Sequence, residues 1–303
     1  MSTVSKSFPY IRQVLVYAGH KQHPLFGPYV DNIVKRIDMF KYLNSYRERE
    51  GKPTWKVDAV VGEDLVATME REDPKETLFV VTAGQSSHLD KVFSVAQTTF
   101  IKEQFFARGG LGYFNCGSAY WASNKRVYSD LCTEQPSERS PLIKPSNLPL
   151  FDGTAIGPLC PFPGKQYKVG FFSDAVTISD GTKECCIYLS GGGSFIIPPS
   201  SQKVRVLAKY HPSELRRLGI KEEDVSRLEN AAIMISVGEG AGLLTMFHPY
   251  YGSQDFDVER YEKAFPDCGT NWRAVQERLS SLDVRIQFAF DMLSKLEKRE
   301  LYT

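Results

Sequence analysis

Short unbroken apolar runs, separated by stretches of helical period, constrain the first half of this chain more than any other feature. Val14–Ala18 is continuous and ends at Gly19, the pattern of a parallel strand covered on both faces. After Pro28, the residues Val30, Ile33, Val34, Ile37, Phe40 and Leu43 recur at spacings of three and four and predict a helix with one apolar stripe. Val57–Val61 predicts a second strand and Leu78–Val81 a third, with Leu65, Ala67 and Met69 on a short helical stretch between them. Leu89, Val92, Phe93, Ala96 and Phe100 predict a further helix that stops near Gly109-Gly110, and Leu111–Phe114 predicts a fourth strand. Strands alternating with helices imply right-handed crossovers. The expected fold class is therefore α/β, a mostly parallel sheet flanked by helices.

The second half reads differently. Residues 129–164 carry seven prolines, too many for the interior of a strand or helix, and read as a long Pro-rich loop, either functional or a stiff wall. Short β runs follow at Val169–Phe172, Cys185–Leu189, Phe195–Ile197 and Val204–Leu207. Ala231–Val237 and Leu243–Phe247 are joined by a Gly-Glu-Gly-Ala-Gly segment with hairpin chemistry. Residues 211–229 form a charged, partly helical insert. The stripe from Trp272 to Leu296 predicts a C-terminal helix over 271–300, packed on its own core or forming a dimer seam. With no repeat and no linker, residues 1–303 read as a single domain with β-hairpin additions.

Composition narrows the function classes. With 37 basic and 36 acidic side chains there is no overall field to attract nucleic acid. No apolar stretch reaches the roughly 18–20 residues that cross a bilayer, and the opening MSTVSKSFPYIRQ lacks the pattern of a secretory signal. Six cysteines without a CxxC pair suit a reducing, cytoplasmic setting better than a disulfide scaffold or a zinc site. His20, His23 and His88 lack carboxylates or thiols at ligand spacing, so neither a metal nor another cofactor is expected. Oligomeric state is left open.

The segment from Gly109 to Tyr120 carries the strongest chemical signal. A strand ends, Cys116 stands at the turn, and a helix of small residues begins with Gly117, Ser118 and Ala119. This is the layout of a nucleophile elbow, in which a helix N-terminus beside the sulfur would favour the thiolate; the alternative is a buried structural cysteine. His248 directly follows a β run and could serve as the base at the same sheet edge, although His211-Pro212 repeats its His-Pro dipeptide inside the charged insert. The strand ending in Thr82-Ala83-Gly84 offers backbone N–H groups that, with Gly117, would form an oxyanion site; it reads equally as an ordinary turn. Gly191-Gly192-Gly193 lacks the Lys and Ser/Thr of a phosphate loop and reads as a tight β turn.

In this order and spacing, Val16–His20, Val80–Gly84, the Gly-Gly…Cys116-Gly-Ser-Ala-Tyr120 segment, Tyr188–Phe195 and Val237–Gly240…His248-Pro249 resemble the N-terminal region of eukaryotic-type biotin-protein ligases. That resemblance spans roughly residues 11–300. It implies a class I glutamine amidotransferase-like domain of flavodoxin-like fold, with Cys116 as nucleophile, His248 as base, Gly84 and Gly117 supplying oxyanion N–H groups, and Gln85, Tyr120 and Tyr250 lining the pocket. Three departures stand out. Phe114 occupies a usually small position two before the cysteine, Thr82-Ala83-Gly84 replaces Pro-Gly-Gly, and Tyr250 stands where the family pattern implies an acid. Asp255 or Asp257 could substitute for that acid in space. No glycine-arginine-rich adenylate loop is present, so biotin ligation is not expected.

Two functions follow. In one, a Cys-His amidase or acyl-transfer hydrolase acts on a small-molecule or peptide carbonyl. In the other, a non-catalytic module binds a ligand or protein at a vestigial site walled by Phe114, Tyr120, Trp121, Tyr250 and Tyr251. A redox-sensing role for an exposed Cys116 thiolate is a third reading.

Overall fold

Gln13–Tyr17 (β1) is buried along its whole length, because it pairs in parallel with Lys56–Val60 (β2) on one side and Thr77–Val81 (β3) on the other. The computed structural model describes residues 9–20, 28–81, 86–128, 142–159, 173–201, 203–251, 258–259, 262 and 271–300. Leu111–Asn115 (β4) adds in parallel to β3. The remaining strands are Ser123–Tyr128 (β5), Leu142–Pro145 (β6), Phe151–Gly157 (β7), Ser173–Ser179 (β8), Glu184–Ser190 (β9), Ser194–Ile196 (β10), Val204–Tyr210 (β11), Asn230–Val237 (β12) and Gly240–Thr245 (β13).

The main sheet runs β2-β1-β3-β4-β13-β12-β11-β8-β9. Its first five strands are all parallel. Their order is that of flavodoxin-like doubly wound sheets, in which ligands bind beyond the carboxyl ends of the strands. Four antiparallel strands extend this α/β core past β13. The hairpin expected around Gly238–Gly242 is the β12–β13 turn, with Val237 opposite Gly240.

Pro28–Arg49 (α1) is the crossover between β1 and β2. Within it, Arg47 forms a buried ion pair with Glu297 at 2.9 Å, and Glu297 also accepts the Ile11 N–H at 2.8 Å. This pair anchors the end of the C-terminal helix beside the entry to β1. Removing one partner of such a pair leaves a buried charge uncompensated. Among the described residues, no helix is long and apolar enough to cross a membrane.

Three local expectations differ from what is observed. The Pro-rich stretch contains β6 and β7, which with β5 and β10 build a second sheet in the order β10-β7-β5-β6. Among the described residues, its prolines fall at strand ends and between strands: Pro145 closes β6, and Pro149 and Pro158 flank β7, where a missing N–H costs no ladder bond. The helix expected to run unbroken from Leu89 to Phe100 splits into Ser86–Val92 (α2) and Val95–Phe100 (α3), because Ser94 and Gln97 form a reciprocal capping box that starts a new helix. The C-terminal stripe likewise divides into Trp272–Arg278 and Leu282–Glu297. At the break, the Ser280 N–H donates to Cys186 O at 2.9 Å and the Ser280 hydroxyl accepts the Cys186 N–H at 2.9 Å, so the interruption covers the exposed edge of β9.

Candidate functional site

Chain geometry at the end of β4 sets the site. Cys116 has φ 52° and ψ −118°, a left-handed conformation for a residue bearing a Cβ. Such a backbone stores on the order of 1–3 kcal/mol and persists only where its surroundings over-determine it. Here Ser118 Oγ accepts the Asn115 N–H at 2.7 Å and donates to Val81 O at 3.0 Å, stitching the turn to β3. The Cys116 N–H donates to Thr245 O at 2.7 Å, and Cys116 O accepts the N–H groups of Ala119 and Tyr120, opening the short helix Gly117–Trp121. The turn is sharp, and Cys116 is half-buried at its apex.

His248 reaches the same sheet edge from the neighbouring strand β13. Its N–H donates to Tyr188 O at 2.9 Å, and its ring lies among Tyr188, Tyr250 and Tyr251 with centroid separations of 5.7, 5.6 and 5.8 Å. The residue is only 3% exposed. No hydrogen bond joins it to Cys116. The thiol instead donates to Ser190 O at 3.5 Å, and His248 Nε2 is buried with no hydrogen-bond partner.

The other edge of the imidazole is held by a network that begins at Arg36, a fully buried residue of α1. A guanidinium only donates. Arg36 therefore donates to Val81 O at 2.8 Å, to Asn115 Oδ1, and to Tyr250 Oη at 2.8 Å. With its oxygen so engaged, the Asn115 amide turns Nδ2 toward Phe247 O at 2.7 Å and toward His248 Nδ1 at 3.4 Å. Tyr250 Oη accepts from Arg36, which can only donate, so among the described residues the acceptor left for the buried hydroxyl's own proton is His248 Nδ1, 2.8 Å away. Both groups facing Nδ1 are thus donors, so Nδ1 accepts and the ring proton resides on Nε2.

The electrostatics act in the same direction. Burial, reinforced by the Arg36 charge, lowers His248 to about 3. Burial raises the Cys116 thiol to about 11, against the opposing pull of the Gly117 N–H, the Arg36 charge and the Gly192 N–H. The expectation that the adjoining helix would favour a thiolate is therefore not met, because desolvation outweighs the backbone donors. Burial likewise raises Tyr250, so this hydroxyl keeps its proton. At neutral pH the corner holds a thiol, a neutral imidazole and a guanidinium.

Of the residues expected at the site, Cys116, Gly117, His248 and Tyr250 come together at one edge. Tyr120 lies one turn beyond Cys116, its hydroxyl donating to Gly192 O at 2.9 Å and its ring stacked on Tyr128 at 5.2 Å. Gly84, Gln85, Asp255, Asp257 and His23 lie outside the described residues. Gly191–Gly193 is a turn between two sheets, with no hairpin pairing of the strands it joins. It carries the chain from β9 in the main sheet to β10 in the second sheet and lies over Cys116, with Gly192 at φ 61°. A Cβ on Gly193 or Gly157 would fall on the Tyr120 hydroxyl. Among the described residues, no three His, Cys, Asp or Glu side chains group as metal ligands.

Sequence reasoning missed Arg36 and Asn115, and read Gly192 only as part of a tight turn. Arg36 carried a readable signal, since it interrupts the apolar stripe between Ile33 and Phe40, where a charge must find buried partners. Asn115 had none.

Comparison with known proteins places the chain among relatives of one kind. Residues 51–299 match the family model described as biotin-protein ligase, N terminal. A biotin–protein ligase of Schizosaccharomyces pombe is 27% identical over 195 residues, which are 62% of this chain and 28% of that protein. The chain thus spans less than a third of the length of this relative. Among solved structures, a glutamine amidotransferase from Thermotoga maritima superposes with a TM-score of 0.47 at 13% identity, covering 95% of this chain and 99% of the other. A protein of Bacteroides uniformis described as ThuA-like gives a TM-score of 0.44 at 12% identity, with 95% of each chain covered.

Proposed function

The chain belongs to the biotin-protein ligase N-terminal family, and from that premise we propose that it is a non-catalytic small-molecule-binding module which keeps the cysteine elbow and histidine as a recognition site. One observation carries this reading: the hydrogen bonds around His248 run in the wrong direction for a base. In a Cys-His or Ser-His hydrolase the third residue accepts the Nδ1 proton, leaving Nε2 free to take a proton from the nucleophile. Here Tyr250 donates to Nδ1, which leaves the proton on Nε2. A protonated Nε2 can donate to a ligand but cannot deprotonate Cys116. The buried guanidinium of Arg36 adds to the block, because a second positive charge, an imidazolium, would form beside it.

The strained elbow at Cys116 favours a second reading, that of a thiol kept poised for acyl transfer. Ammonia release from L-glutamine and a panel of simple carboxamides, measured for the protein and for Cys116→Ser, separates the two. The binding-module reading expects the same background release from both proteins. Release that depends on Cys116 would refute it and establish an amidase.

A further inference from the structure

We propose that the corner between Cys116, Gly117, Gly192 and His248 takes a small monocarboxylate anion, held without covalent chemistry and balanced in charge by Arg36. This rests on the non-catalytic reading and names the ligand class.

The first support is charge. Arg36 is fully buried, and its three hydrogen-bond acceptors, Val81 O, Asn115 Oδ1 and Tyr250 Oη, are all neutral. Its Nε is buried without a partner, and among the described residues no carboxylate pairs with it. A buried cation without a counter-charge is destabilising, and an anion brought into its field offsets much of that penalty. The ionisable neighbours on which the Arg36 charge acts, Cys116, His248, Tyr113 and Tyr250, are protonated thiol, neutral imidazole and protonated phenols, none of which supplies the missing charge.

The second support is hydrogen-bonding character. His248 Nε2–H is nine-tenths and more buried and has no acceptor. It lies on the ring edge turned away from Tyr250 and Arg36. The Gly117 N–H lies beside the Cys116 sulfur, while the Gly192 N–H donates to Ser190 O at 2.6 Å. Two donors, His248 Nε2–H and the Gly117 N–H, therefore lack a strong acceptor, since Ser190 O is already taken by the thiol and by the Gly192 N–H. A carboxamide brings an NH2 that needs acceptors of its own. A carboxylate only accepts, at about four lone-pair sites. One guanidinium balances one negative charge, which favours a monocarboxylate over a phosphate dianion.

The test uses the intact chain with 15N-labelled histidine and backbone amides, titrated with acetate, with isosteric acetamide, and with chloride at equal ionic strength. Acetate should saturably shift His248 Nε2–H and the Gly117 amide in the millimolar range. Acetamide and chloride should be at least about tenfold weaker. Arg36→Met should abolish the acetate shifts while Arg36→Lys retains them. Should Arg36→Met not fold, the contrast between acetate and acetamide on the unmodified protein decides. Equal response to acetamide, equal response to chloride, or no response to acetate overturns the proposal. Conversion of acetamide to acetate and ammonia would instead overturn the non-catalytic reading beneath it, and is recognised separately by the product.

Discussion

Tyr250 Oη lies 2.8 Å from His248 Nδ1 and donates to it, because its other partner, Arg36, offers no acceptor for the hydroxyl proton. In the proposed function, that one phenol makes the imidazole a donor to ligand and not a base. The consequences reach protonation, reactivity and stability.

The first concerns the tautomer. His248 should show the Nε2–H form by 15N NMR and should not titrate around neutral pH, since burial holds it at about 3. In Tyr250→Phe the Nδ1 constraint is relaxed and the other tautomer should become populated. A His248 that titrates near its ordinary value of 6.5 would contradict the network.

Cys116 should be a slow nucleophile. With its thiol raised to about 11, alkylation by iodoacetamide at neutral pH should be at least about tenfold slower than that of a free cysteine. The rate should still be climbing with pH well above 9. Mass-resolved labelling kinetics measure this directly, and rapid selective modification of Cys116 at neutral pH would refute it.

Stability should fall in acid through His248. Its folded pKa lies below its unfolded value, so the neutral ring contributes stability above pH 6.5 that is lost as pH drops from 6.5 toward 3. The difference in unfolding free energy between the native protein and His248→Gln should shrink across that window by a few kcal/mol. Urea titrations at several pH values report it, and a difference independent of pH would count against the assignment.

Losing Arg36 should be costly for the fold as well as for the site. Arg36→Met leaves Val81 O, Asn115 Oδ1 and Tyr250 Oη without their donor, and the expected loss is about 3 kcal/mol. Arg36→Lys, which restores a charge but not the fork, should recover only part of it. Chemical denaturation of the three proteins provides the comparison.

Tyr120 and the glycine corner should behave as a coupled pair. Gly193→Ala places a methyl on the Tyr120 hydroxyl and should destabilise by about 1–3 kcal/mol. Tyr120→Phe removes that oxygen, so the double variant should be less unstable than the sum of the two single changes. Strict additivity would mean that the methyl is resisted by Ile156 O and the Tyr120 ring, each 2.8 Å from it, and not by the hydroxyl.

Local pattern alone determined the parallel core and the corner that carries the cysteine. The buried runs of β1, β3 and β4 and the glycine-flanked step at Cys116 are written in neighbouring residues, because burial on both faces demands continuous apolar sequence and a sharp turn demands small residues after it. Tertiary structure decided what that corner can do. Arg36 meets Asn115 and Tyr250 across 79 and 214 residues, and the direction of every proton between them follows from that meeting. The second sheet inside the Pro-rich stretch and the break at Ser280 were likewise settled by strand partners distant in sequence. Periodicity reports which face of an element is buried. It carries no information about which donor arrives on that face, and here the arriving donor sets the chemistry.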